Sequence, residues 1–166
     1  LNVALICNIF AGWLRLSPEE TKVLTLAGLL HDIGKMLVPK EIITKADKLT
    51  EEEYKIIKKH TVKGYQILRD QAIDDRVKLA ALLHHERCDG SGYPNRFTRE
   101  QIDNFAKIVA IVDVYDAMTS NRRYRSAICP FDVVDNFERE GLLKYDPKYL
   151  LTFLENIVMS YLHNTV

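Results

Sequence analysis

Charge of one sign is what this 166-residue chain most plainly lacks: 23 Lys and Arg stand against 23 Asp and Glu, for a formal net charge of zero. A protein that neutralises many phosphates of a nucleic-acid polymer, or rests on an anionic membrane, needs a cationic excess. No nucleic-acid polymer and no membrane contact is therefore expected. A small charged ligand remains admissible, because local clusters hold it and the total does not. Cysteine is scarce as well. Cys7, Cys88 and Cys129 are far apart, odd in number and form no CxxC pair. That excludes a disulfide framework and a thiolate zinc site, and fits a reduced, cytoplasmic chain. No apolar run reaches the length of a membrane span. The opening run, Leu1 to Phe10, is apolar but has neither the basic flank nor the cleavage pattern of a signal peptide. No stretch alternates convincingly as a strand does, and no repeat or low-complexity tract interrupts the chain.

What is present is helix punctuation. Hydrophobic residues make up 47% and charged residues 28%, ordinary for a globular chain long enough to bury one sizeable core. Ser17-Pro18-Glu19-Glu20 is a capping box with proline at the first helical position, and its helix should reach about His31. Pro39 opens a short segment through Ile43. Thr50-Glu51-Glu52-Glu53 starts a helix expected to carry Ile56, Ile57 and His60, then Gly64, Ile67 and Leu68. Asp74 or Asp75 caps the next. Thr98-Arg99-Glu100-Gln101 reads as a further capping box, opening a long helix from about Ile102 to Ser120; Pro130 and Asp146-Pro147 each begin another. The expectation is an all-α chain forming a single domain. The first helix lacks an N-cap and reads as one entered part-way, so the chain is expected to be a piece of a longer protein.

The chemistry concentrates in His84-His85-Glu86-Arg87-Cys88-Asp89-Gly90-Ser91-Gly92-Tyr93-Pro94. Two adjacent histidines sit where an apolar run, Leu79 to Leu83, meets a loop. Neighbouring helical residues point roughly 100° apart, so the two rings can line two sides of one cavity. A lone histidine on an apolar face is more often a hydrogen-bonded core residue than a ligand. Here there are companions. His31-Asp32-Ile33-Gly34-Lys35 follows a second apolar run, His60 lies in a third periodic segment, and Asp113 sits inside Ile108-Val109-Ala110-Ile111-Val112-Asp113-Val114. A carboxylate there is costly to bury unless it is paired, for instance with an arginine, or holds a metal. Only His163 has no assigned place. Gly90 and Gly92 permit backbone angles or close approaches that other residues resist.

HDIGK at residues 31 to 35 and HHERCDGSGYP at 84 to 94 resemble the two defining motifs of the HD-GYP family, a branch of the HD metal-dependent phosphohydrolases. The resemblance runs from the start of the chain to about Arg125. It implies an HD-domain-like bundle of about seven helices, with residues 1–166 a single HD-GYP domain truncated at its N-terminus and an upstream regulatory domain missing. The implied activity is hydrolysis of cyclic di-GMP to the linear dinucleotide pGpG, GMP or both by a metal-activated water. Two or three divalent ions, iron or manganese, would be held by His31, Asp32, His60, His84, His85 and Asp113, with Asp32 the bridge. Imidazole with carboxylate suits those metals better than a thiol-rich site would. Lys35 would act in catalysis beside Asp32, holding a phosphate oxygen or protonating the leaving group. Taken by itself, Lys35 is a solvated lysine at a helix end.

By the same resemblance, Arg122 and Arg125 contact substrate phosphate, whereas read alone they belong to a charge run at a helix C-terminus. Arg123 stands where the family often has proline. Tyr93 would stack on a base or shape the pocket mouth. The GYP loop has been linked in the family to GGDEF-domain partners, and a homodimer is left open. Family members usually carry another ligand histidine on the first helix, and some a glutamate one turn before it; the corresponding position falls just before Leu1. Residues 102–107 also depart from the family's proline-and-arginine pattern. The alternatives are an HD phosphohydrolase for another nucleotide and a non-catalytic module that binds the messenger or a partner.

Overall fold

In the computed structural model, the structure describes residues 1–120 and 130–163. Among them are nine α-helices: α1 (Asn2–Trp13), α2 (Pro18–Leu30), α3 (Lys40–Ile43), α4 (Glu51–Lys58), α5 (His60–Leu68), α6 (Asp75–Leu83), α7 (Asn104–Thr119), α8 (Pro130–Glu140) and α9 (Pro147–His163). Two 3-10 turns, Ile33–Leu37 and Leu142–Lys144, complete the regular structure. No strand occurs among the described residues, only one isolated bridge between Asp89 and Thr98. The all-α expectation holds. The count exceeds the expected seven because Lys40–Ile43 closes a turn of its own and because the expected helix over 50–68 is two helices. No helix of the described residues is long and apolar enough to cross a membrane.

Local sequence explains most of the boundaries. Ser17 accepts a hydrogen bond from the Glu20 backbone while Glu20 returns one to Ser17 N, the reciprocal box its spacing suggested. Thr50 and Glu53 do the same for α4. Asp74 caps α6 through the Arg76 N–H, and the Asp146 carboxylate accepts from Lys148 N at the start of α9. Thr98 does not cap α7. Gln101 reaches back to Thr98 N, but the turn closes there and Asp103 caps the helix instead, accepting from Phe105 N and Ala106 N. Both signals are locally valid; packing of Ile102 into a satellite core with Leu83 and Ala106 places the helix start after it.

Helix α7 organises the rest. Phe105, Ile108, Val109, Ala110, Ile111 and Val112 are all buried, so its middle turn is apolar on every side. A helix of that kind must be surrounded, and α1, α2, α6 and α9 pack on it. Phe10 of α1, Tyr115 of α7 and Phe153 of α9 meet edge to face, with centroids 4.9 and 5.1 Å from Phe153. The turn after α2 then lies flat on α5. A Cβ at Gly34 would stand 1.9 Å from the His60 carbonyl oxygen, which is backbone and cannot step aside. Gly34→Ala is therefore expected to cost roughly 2–3 kcal/mol by overpacking, seen as a melting temperature several degrees lower in thermal unfolding.

Candidate metal centre

Four elements bring the predicted ligands to one place. His31 closes α2 as its C-cap, and Asp32 follows it into the 3-10 turn. His60 opens α5, His84 closes α6, and Asp113 lies on α7. The four imidazoles touch in succession. Ring centroids are 5.0 Å apart for His31–His84, 4.2 Å for His84–His85 and 5.1 Å for His60–His85. His31, His60 and His84 are buried, while His85 and Asp113 are half-buried.

Backbone carbonyls set the chemistry of the rings. His31 Nδ1 lies 2.8 Å from the Gly28 oxygen, His60 Nδ1 2.7 Å from that of Ile57, and His84 Nδ1 2.9 Å from that of Ala80. A carbonyl only accepts, so each Nδ1 carries a proton and each Nε2 faces inward. The Nε2 atoms of His60 and His84 converge on the Asp32 carboxylate. His60 Nε2 is 3.4 Å from His84 Nε2 and 3.3 Å from Asp32 Oδ1. On the other side His31 Nε2 is 3.3 Å from Asp32 Oδ2 and 3.6 Å from Asp113 Oδ1. His31 Nε2 and Asp32 Oδ1 are buried without a hydrogen bond. Converging acceptors in a buried place are costly unless a cation sits among them.

Two ligand groups result, and they share one carboxylate. Asp32, His60, His84 and His85 can offer ligand atoms within 4.8 Å of one another, and so can His31, Asp32 and Asp113. The imidazole and carboxylate donors of these groups suit divalent metal ions.

Protonation agrees with that reading. Burial, helped by the neighbouring histidines, pushes His84 well below the ordinary imidazole range. Burial takes His85 down to about 3. Both are thus neutral, as metal ligation requires. His31 goes the other way. Burial would lower it, but the Asp113 and Asp32 carboxylates outweigh burial and hold it up at about 9. In effect a proton occupies the place between His31 and the carboxylates that a cation would take. Burial alone would raise Asp32, yet the nearness of His31 and His60 and the charge of Lys35 hold it far below the carboxylate range. Asp113 falls to about 2 as the nearby His31 outweighs burial.

Lys35, one 3-10 turn past Asp32, places Nζ 2.5 Å from Asp32 Oδ2. A cavity of about 370 Å3 opens there, walled by His31, Asp32, Lys35, Asp113, Asp116 and the first residues of α1. Asp116 was not among the expected site residues. It lies one turn beyond Asp113, so the i, i+3 spacing of two carboxylates on one helix was the signal that could have found it. Tyr93 stacks on His85 at 4.8 Å between centroids with 23° between planes, which makes it a wall of the centre. Arg122 and Arg125 lie outside the described residues.

Glu86 has a different task. It is 2% exposed, and its carboxylate accepts from Asn95 N at 2.6 Å and Phe97 N at 3.0 Å, clamping the loop that carries Tyr93. Gly92 makes the clamp possible, since a Cβ there would lie 2.4 Å from Glu86 Cα. Glu86→Gln replaces one acceptor by an NH2 facing an N–H, and should cost about 2 kcal/mol. Amide exchange should accelerate over residues 91–97 while metal content stays at the wild-type level.

With this geometry in hand, comparison with known proteins is decisive. The family model described as the HD domain matches residues 3–149. The chain belongs to the HD-domain family. Within it, the GYP motif and its relatives put the chain in the HD-GYP branch. It is 41% identical over 124 residues to the cyclic di-GMP phosphodiesterase response regulator RpfG of Xanthomonas campestris, covering 74% of this chain and 33% of that protein. It is 40% identical over 139 residues to 3'3'-cGAMP-specific phosphodiesterase 1 of Vibrio cholerae, covering 84% of this chain and 32% of that protein. The HD-domain chain thus spans about a third of the length of these curated relatives. Among solved structures, Bd1817, an HDG"Y"P protein of Bdellovibrio bacteriovorus, superposes with a TM-score of 0.76 at 22% identity, over 94% of this chain and 50% of that one. At that identity the likeness is one of fold.

Proposed function

We propose that residues 1–166 are one HD-GYP domain that hydrolyses cyclic di-GMP with divalent metal ions, iron or manganese. The observation that carries this is Asp32, common to both ligand groups, with Oδ1 facing His60 and His84 and Oδ2 facing His31 and Lys35. A shared carboxylate is what a two-metal site needs for in-line displacement at a phosphodiester. When bound, the ions would neutralise phosphate charge and lower the pKa of an attacking water. The chain's own groups do the rest. The carbonyls of Gly28, Ile57 and Ala80 keep three imidazoles aimed inward. Lys35 places an ammonium at the cavity wall, where it can hold a phosphate oxygen or protonate the departing one. Arg122 and Arg125 would add phosphate contacts. The products would be pGpG, then GMP.

A second substrate is favoured by one observation, the 40% identity to a relative named for 3'3'-cGAMP. The two messengers share the phosphate ring and differ in one base, so the metal centre serves either. A GGDEF-domain partner would meet the GYP loop at exposed Ser91 and Asn95, because Tyr93 is turned onto His85. A cytoplasmic setting suits such a substrate.

The test is anaerobic turnover with added Fe2+ or Mn2+ on cyclic di-GMP, 3'3'-cGAMP and a linear nucleotide. Faster cleavage of cyclic di-GMP supports the proposal, and faster cleavage of 3'3'-cGAMP supports the second substrate. Metal occupancy without turnover of any of them would leave a binding module as the better reading.

A further inference from the structure

A second cavity, of about 260 Å3, is bordered by Tyr93, the ring that stacks on His85. Lys58, Lys59, Val62, Tyr93, Pro94 and Arg96 line it. Three of the six are cations, and among the described residues no carboxylate stands within ion-pair distance of any of them. In a chain of zero net charge, such a grouping is a local departure. Like charges gathered in a concave place repel one another and focus a positive potential on whatever enters.

Arg96 carries a backbone cost as well. Its φ is 58°, the left-handed region that glycine or asparagine occupies more cheaply. The Glu86 clamp enforces this, because its two hydrogen bonds go to Asn95 N and Phe97 N, the residues on either side. A buried carboxylate thus holds a long cation at a strained position on the cavity rim. Strain of this kind persists where the surroundings over-determine it, and it concentrates at binding sites.

Tyr93 ties the cavity to the metal centre. One face stacks on His85. Lys58 Nζ approaches the same ring, 5.6 Å from its centroid, and that of Tyr54 at 4.8 Å. The Lys58 ammonium is thus steered into the cavity by two aromatic rings. With His85 on one face of Tyr93 and a cation near it, an anion is a better occupant than a stacked base. The volume falls below the roughly 300–1,000 Å3 of sites that enclose a whole drug-sized ligand. It suits a phosphate and part of its sugar.

We infer that this cavity is a second phosphate subsite, in which Lys58, Lys59 and Arg96 hold the phosphate of a cyclic dinucleotide that is not being cut. The inference rests on the reading of the chain as a cyclic dinucleotide phosphodiesterase. A cyclic dinucleotide has two phosphates in one ring, so engaging one here helps present the other to the metal ligands. A linear product with a terminal phosphate would use the same charges.

The test uses the whole chain stripped of metal by chelator, so that neither turnover nor metal contributes to binding. Cyclic di-GMP and, separately, inorganic phosphate are titrated calorimetrically into wild type and into the double variant Lys58→Met, Arg96→Gly. Methionine keeps the packing on the tyrosines, and glycine suits φ 58°, so the melting temperature should not fall. The expected result is at least about tenfold weaker binding of cyclic di-GMP by the variant, the scale of losing charge-assisted hydrogen bonds, with wild-type affinity falling as salt rises. Equal affinity of the two proteins, or no binding by metal-free wild type, overturns the subsite. Binding of inorganic phosphate without the dinucleotide overturns its assignment to the dinucleotide. Failure of the phosphodiesterase reading would show separately, as absent turnover in metal-loaded wild type.

Discussion

Asp32→Ala is expected to abolish turnover of cyclic di-GMP and to empty both halves of the metal centre together. Each oxygen of this carboxylate faces a different set of imidazoles, so its removal subtracts a ligand from two groups at once. Substitutions of groups that merely orient metal ligands cost about 10–100-fold. Loss of a shared ligand should exceed that, and about 10³-fold or more in kcat/KM is the expected scale. The fold itself should survive. Asp32 is a half-buried residue just before a 3-10 turn, and its removal relieves the crowding against His60 and His84. Circular dichroism should therefore match wild type while metal analysis and turnover collapse. A variant that keeps one full equivalent of metal would show that the two groups do not depend on Asp32 in common.

Metal removal is the second large effect, and it reads on stability. His31 Nε2 and Asp32 Oδ1 are buried without hydrogen bonds, and the Nε2 atoms of His60 and His84 face each other at 3.4 Å. Ions at these atoms bind the folded chain and have little hold on the unfolded one, in which α2, α5, α6 and α7 no longer converge. A ligand present at a thousand times its dissociation constant stabilises by about 4 kcal/mol. For a chain of this size that corresponds to roughly 10 °C in melting temperature. Thermal unfolding with Mn2+ and with chelator should differ by that order. Asp32→Ala should melt at the same temperature in both. An unchanged wild-type melting temperature would mean that the cluster holds no metal worth the name.

The gathering of these six side chains was legible in the sequence because their places were unusual. Paired histidines at the end of an apolar helix, and an aspartate inside Ile108–Val114, have no local reason to be there, and the six expected side chains come together in two groups that share Asp32. Helix caps at Ser17, Thr50 and Asp74 were legible for the opposite reason, that they obey local chemistry. What escaped was set by tertiary contact. The separation of α4 from α5 falls at Lys59, where Gly34 meets the backbone of His60, and no periodicity records that meeting. The start of α7 went to Asp103 over Thr98 because Ile102 is buried against Leu83 and Ala106. Glu86 stood inside the central motif, yet its clamp on residues 95 and 97 depends on a loop path that spacing does not reveal. Arg96 was silent for the same reason, since its strained backbone and its nearness to Lys58 exist only once the loop is folded back.

The most direct measurement is the number of Mn2+ or Fe2+ ions bound per chain under anaerobic conditions, in wild type and in Asp32→Ala. Two ions in wild type, falling to less than one in the variant, is the result that a centre organised around one shared carboxylate requires. One ion in wild type, or two retained in the variant, would contradict it.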